Sequence, residues 1–130
     1  MDTLGLVLAV IVHSAKIQDR DGAKLLFARA KLKGPWPRME HVWADGGYAG
    51  TLVEWVRALC RGRGTRLEIV KHSKTVHRFK VLPRRWVVER TFAWLGRSRR
   101  LSKDYEHSVS SSESFIYIAM IRLMLSRLVR

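Results

Sequence analysis

Two carboxylates stand where a carboxylate can do chemistry. Asp45 closes the short run His41-Val42-Trp43-Ala44 and is followed by Gly46-Gly47-Tyr48. In open α/β sheets, ligands bind at the carboxyl ends of strands, and glycines there let a backbone or phosphate come close. Asp-Gly is also a common turn signal, so a turn carboxylate capping the next segment accounts for Asp45 equally well. Glu89 is one of only two acidic residues between positions 57 and 103. Arg85 precedes it by four residues, so on a helix the two share a face. In purely structural terms the pair is a surface salt bridge, worth about a few tenths of a kcal/mol. In chemical terms, Glu89 is a metal-binding carboxylate facing Asp45, and Arg85 holds a phosphate. Mg²⁺ takes carboxylate oxygens and shares them with substrate phosphates. Two such ions activate an attacking oxygen and stabilise a leaving one. That design calls for a third carboxylate. Asp2, Asp19 and Asp21 are the N-terminal candidates, and none fits well. Asp19 and Asp21 suit the start of a helix, and Asp2-Thr3-Leu4 suits a turn.

The charge points to a polyanion. The 130 residues carry 25 Lys+Arg and 11 Asp+Glu, a net of +14. Residues 57–103 alone hold 15 basic and 2 acidic side chains, so nearly the whole excess lies in one stretch. Such a surface attracts a phosphate backbone through counterion release. A solvated basic face without a partner is the plainer reading. An anionic membrane surface fits less well, because the stretch shows no cleanly basic amphipathic helix. With 47% hydrophobic residues the chain can bury a core, which excludes the composition of a disordered protein. A single cysteine, Cys60, excludes an internal disulfide and suits a reducing compartment. No apolar run is long enough to span a membrane, and Leu4 to Val12 lacks the basic lead of a signal peptide. A cytoplasmic protein is therefore expected. His72 and His77 lie in a basic loop without nearby cysteines, so zinc is not expected. No phosphate-binding loop, dinucleotide fingerprint or serine-hydrolase signature occurs.

The elements that must position these residues follow from local pattern. Gly5 to Val12 reads as a strand buried on both faces. Residues 19–33 read as an amphipathic helix with Asp19 and Asp21 at its positive end, stopped by Gly34-Pro35-Trp36-Pro37. His41 to Asp45 is a short strand. Thr51 can cap a second helix, with Leu52, Trp55, Val56 and Leu59 on one face. Cys60 falls near that apolar face. Leu67 to Val70 is a third strand, and 71–80 a basic loop. Pro83 suits the start of a long helix reaching about Leu101. A last helix spans roughly Ser111 to Val129, with Ser110 to Ser112 as caps. Alternating strand and helix from 5 to 70 indicates an α/β layer fold with some parallel pairing. Trp43 and Trp55 read as core; Trp86 and Trp94 suit either a core or a base-stacking role. A fully apolar strand at the very start needs sheet neighbours, and few remain, so a missing N-terminal part is expected.

Several segments, taken in order, resemble a known family. They are Asp2-Thr3-Leu4-Gly5-Leu6, Gln18-Asp19-Arg20-Asp21-Gly22-Ala23 and Trp43-Ala44-Asp45-Gly46-Gly47-Tyr48-Ala49-Gly50. Then come the run from Leu82 through Arg84, Arg85, Trp86 and Glu89 to Leu95, and Arg99-Arg100-Leu101-Ser102-Lys103-Asp104-Tyr105-Glu106. The last helix around Tyr117 to Leu125 matches as well. Together they resemble the C-terminal part of a DDE transposase from a bacterial insertion sequence. The resemblance covers essentially the whole chain.

The resemblance implies an RNase-H-like mixed sheet flanked by helices, truncated at its N-terminus and carrying a C-terminal helical extension, as one partial catalytic domain over 1–130. It implies an Asp-Asp-Glu triad holding two Mg²⁺ ions, or Mn²⁺ in their place. Asp45 matches the second Asp and Glu89 the Glu, with 43 residues between them. Arg85 matches the arginine four residues before that Glu. The tyrosine many relatives carry three residues earlier is Leu82 here, and the basic position seven after the Glu falls on Gly96, beside Arg97. The first Asp lies upstream of the segment that Asp2 opens. The implied activity is cutting of transposon ends and joining to target DNA. Arg84, Arg85, Arg97, Arg99 and Arg100 would contact phosphates. Implied partners are transposon-end and target DNA, an upstream-frame half of the transposase and further copies of the chain, at the nucleoid and with no membrane. With one ligand of three missing, the isolated chain is expected to bind DNA without cutting it. A basic DNA-binding remnant that has lost catalysis is the alternative.

Overall fold

A computed structural model describes residues 1–32, 38–61, 64–70 and 85–129, with the backbone alone at 31, 32 and 85. The chain divides into two compact units: His13–Arg78, and Met1–Val12 together with Phe79–Arg130.

The first of these is a strand–helix–strand unit with an extra helix. α1 runs Asp19–Leu32, with Asp19 and Asp21 in its first turn as the spacing predicts. β1 is His41–Asp45, α2 is Thr51–Leu59 and β2 is Arg66–Val70. The two strands pair in parallel, His41 opposite Arg66 and Asp45 opposite Val70. A parallel pair needs a crossover, and α2 supplies it. Trp43 sits opposite Glu68 in the ladder, and its indole N–H donates to Glu68 Oε2 at 3.0 Å. Trp43 is thus half-buried at the sheet surface. The core is Ala23 from α1 with Leu52 and Val56 from α2, joined by Phe27, Tyr48, Trp55, Cys60 and Leu67. Leu52 and Val56 are fully enclosed, which follows from their i, i+4 spacing on the face turned to α1 and β2. The cap of α2 is Gly50, at φ 102° and without a side-chain bond, so Thr51 is the first helical residue instead of the cap.

In the second unit the apolar run from Gly5 to Val12 is not a strand. Among the described residues the sheet has two strands, β1 and β2. The run is extended and mostly half-buried. Its donors go to side chains of the last helix: Val10 N–H to Tyr117 Oη at 3.2 Å and Val12 N–H to Glu113 Oε1 at 3.1 Å. β propensity alone makes no ladder; a partner strand is required. α3 runs Arg85–Gly96, stops short of the expected Leu101, and is followed by a 3₁₀ turn at Arg99–Leu101. Gly96 is the weak helix former at the break. α4 runs Val109–Leu128 from a cap at Ser108, with Ser110 to Ser112 inside its first turns. No helix of the described residues is long and apolar enough to cross a membrane. The basic loop 71–80, Pro83 and Arg84 lie outside the described residues.

Candidate catalytic carboxylates and the basic helix

Asp45 ends β1 and caps the 3₁₀ turn Gly46–Tyr48. Its Oδ1 accepts the Gly47 N–H at 3.1 Å, and the residue is exposed. The turn-cap and strand-end readings are therefore compatible, since a carboxylate with one oxygen on a backbone donor still presents the other. Tyr48 lies close by. Burial first, then the charges of Asp19 and Asp45, push its phenol above the ordinary tyrosine value. Asp19 and Asp45 are thus both near enough for their fields to meet at one hydroxyl.

Glu89 is exposed near the middle of α3. Two large aromatics on the same helix flank it in sequence: Trp86, 50% exposed, and Phe92, 65% exposed. The opposite face of α3 carries buried Val87 and Thr91. That face is fixed by the first residues of the chain. Asp2 folds them into a turn, its Oδ1 accepting N–H groups of Leu4 at 2.9 Å and Leu6 at 2.8 Å. Gly5 sits in this turn at φ 83°. Its carbonyl oxygen lies 2.8 Å from Thr91 Oγ1, which is also 2.9 Å from the Val87 carbonyl. Arg90 Nη2 donates to the Leu4 carbonyl at 2.9 Å. The approach leaves no room: a Cβ on Gly5 would lie 2.7 Å from Thr91 Oγ1 and 3.0 Å from the Trp94 ring. Asp2 thus works as a turn residue that docks the helix of Glu89.

The basic residues fall into distinct situations. Arg97 and Arg99 are exposed just beyond α3. Arg100 is committed within its unit. It pairs with Glu106, and its guanidinium lies over the rings of Phe115 and Tyr105 at 5.3 and 5.9 Å. The hydrogen bond that Arg100 donates to Glu106, then the charge of that carboxylate, holds the Arg100 pKa above the usual arginine value. Arg84 and the side chain of Arg85 lie outside the described residues. The sequence reading missed Arg90 and Thr91. The signal was present: Trp86, Arg90 and Trp94 recur every four residues and so share one helix face.

Asp45 belongs to the unit His13–Arg78 and Glu89 to the other. Among the described residues, no three His, Cys, Asp or Glu side chains gather closely enough to hold a metal ion. Asp45 and Glu89 are hard oxygen donors, suited in kind to a divalent cation, and two carboxylates fall one short of the three-ligand design.

A parallel strand pair with a carboxylate at its carboxyl end, and a helix bearing an exposed glutamate, make this a mixed α/β chain. The family model described as "Transposase DDE domain" matches residues 1–124. The chain belongs to that family. It is 34% identical over 120 residues to a protein of Burkholderia cepacia assigned as transposase for insertion sequence element IS402. The match takes in 88% of this chain and 55% of the relative, so the chain spans about half the length of that protein. No solved structure matches. DDE transposase domains work with divalent metal ions.

Proposed function

We propose that this chain supplies the later part of the catalytic domain of an insertion-sequence transposase. Asp45 and Glu89 act as carboxylate ligands for Mg²⁺, or for Mn²⁺ in its place. The supporting observation is the family match across 1–124, combined with Asp45 lying exposed at the end of β1 and Glu89 exposed near the middle of α3. An RNase-H-like sheet is the arrangement this reading implies for the β1–α2–β2 unit within a complete protein. The bound metal supplies activation of an attacking oxygen and charge stabilisation of the leaving one. The chain's own residues do the rest. Asp45 is oriented by the Gly47 N–H. Glu89 is oriented by the docking of α3 on the Asp2–Leu6 turn. Arg84, Arg85, Arg97 and Arg99 contact phosphates of transposon-end and target DNA, and Arg100 adds charge while held by Glu106. Assembly with an upstream half or with further copies completes the ligand set. The protein acts at the nucleoid of the bacterial cytoplasm.

The test is DNA binding of the isolated chain over a salt series, with Mg²⁺ present and cleavage followed on the same duplex. The expected result is binding whose log affinity falls linearly with log salt, by roughly 0.9 per phosphate neutralised, and no strand cutting. Absence of DNA binding contradicts the reading. So does Mg²⁺-dependent cutting that Asp45→Ala abolishes, because a third carboxylate is then already in place.

A further inference from the structure

Arg20 stands in the first turn of α1, between Asp19 and Asp21. Asp21 pairs with Lys24 at 3.0 Å. The Arg20 guanidinium makes no hydrogen bond or ion pair among the described residues, although two carboxylates adjoin it in sequence. It rests instead on the face of Gly50: a Cβ there would lie 3.5 Å from Arg20 Nη1, an ordinary contact distance. Gly50 follows the 3₁₀ turn that Asp45 caps, and itself caps α2. Packing keeps the two segments together, because Tyr48 of that turn lies against the cluster of Ala23 from α1 with Leu52 and Val56. Arg20, Asp45 and Gly50 all belong to the unit His13–Arg78. An exposed, uncommitted guanidinium thus stands at the carboxyl end of β1, the end that bears Asp45.

We propose that Arg20 holds the DNA phosphate that lies beside Asp45, as a positioning residue of that site. The inference rests on the reading of Asp45 as a carboxylate of a DNA-processing site. Three considerations select a phosphate as the partner. A guanidinium that pairs with none of its neighbouring carboxylates is available to an anion from outside the chain, and its planar fork matches two phosphate oxygens. It stands at the carboxyl end of a parallel strand pair, the end at which ligands of open α/β sheets bind. Asp45 and the phosphate of a bound strand also repel each other, so the site needs a cation of its own at that point, and Arg20 supplies one.

The experiment measures affinity for one DNA duplex over a salt series in EDTA, for the wild type, Arg20→Ala and Arg20→Gln. Glutamine keeps much of the side-chain length and the helix propensity, so a purely structural role would leave that variant like wild type. In both variants the slope of log affinity against log salt should become shallower by about 0.9, the share of one phosphate on duplex DNA. Affinity at low salt should fall about tenfold, as for a lost charge-assisted hydrogen bond. Arg57→Ala is the control: it removes an arginine in the last turn of α2 that is already paired with Glu54, and it should leave slope and affinity unchanged. Placement beside Asp45 is read from a double-mutant cycle. Asp45→Asn should raise DNA affinity in the wild-type background, by removing the repulsion of that phosphate, and should lose this gain in the Arg20→Ala background. A wild-type slope in both Arg20 variants overturns the proposal, while the DNA reading stands. So does an equal loss in Arg57→Ala, which makes the effect one of net charge alone. So does a cycle without coupling, which puts the phosphate of Arg20 away from Asp45. If the wild type binds no DNA at all, both readings fall.

Discussion

Gly5→Ala is the sharpest perturbation of the turn that docks α3. At φ 83° Gly5 occupies the left-handed region, which costs an alanine about 1–2 kcal/mol. The new Cβ would also lie 2.7 Å from Thr91 Oγ1, 3.0 Å from the Trp94 ring and 3.5 Å from Arg90 Nη2. None of these neighbours yields easily. Thr91 is 1% exposed and β-branched, and Trp94 is held between two guanidiniums. Relief of such a clash costs about 1–3 kcal/mol. The combined loss is about 2–5 kcal/mol, a large part of the ~5–15 kcal/mol that holds an ordinary domain together. Unfolding entropy scales at about 2.1 cal/mol/K per residue, so a chain of this length loses roughly 7–18 °C in Tm. Thermal denaturation of the wild type and variant measures this directly. The control is Gly46→Ala, where a Cβ meets nothing within 4 Å; its Tm should hold or rise slightly. Gly→Ala at a permissive site stabilises by about 0.4–1 kcal/mol through the unfolded state. If Gly5→Ala behaves like Gly46→Ala, the docking of the Asp2–Leu6 turn on α3 is wrong.

Two further outcomes are expected, one in each compact unit. Thr91→Val keeps the shape of a buried side chain and removes the hydroxyl that bonds the Gly5 or Val87 carbonyl. A loss of about 1–3 kcal/mol is expected, read as a lowered urea midpoint, and an unchanged midpoint contradicts the bond. Tyr48 titrates above its ordinary value because of burial and the charges of Asp19 and Asp45. Its contribution is complete below the unfolded tyrosine pKa of about 10 and is lost as pH rises from there through the folded value, because the unfolded state releases its proton first. Tyr48→Phe should therefore flatten the fall in stability on the alkaline side, and an identical alkaline limb in both proteins contradicts the assignment.

The sequence shows what is local. β1 over His41–Asp45 and the face of α2 with Leu52 and Val56 come from short-range pattern, and both stand in the structure. So does the acidic start of α1. What depends on a partner elsewhere in the chain was hidden. The run Gly5 to Val12 has the residues of a buried strand, yet its Val10 and Val12 donors meet Tyr117 and Glu113, more than a hundred positions away in sequence. The break of α3 at Gly96 reflects a weak helix former that a hydrophobic pattern does not register. At the site, the placement of Asp45 at a strand end and of Glu89 on a helix was legible. The bracing of α3 through Arg90 and Thr91 was not, since it needs the close approach of a positive-φ glycine across 86 positions.

As proposed above, Asp45 and Glu89 are ligands for a divalent metal ion. The most direct measurement is the Tm of the chain during a Mn²⁺ titration, for the wild type and for Asp45→Ala with Glu89→Ala. A ligand that binds only the folded state stabilises by about 1.4 kcal/mol at ten times its Kd. For this length that is a rise of roughly 5 °C. The account predicts that rise in the wild type and none in the double variant. Equal rises in both, or none in either, contradict it.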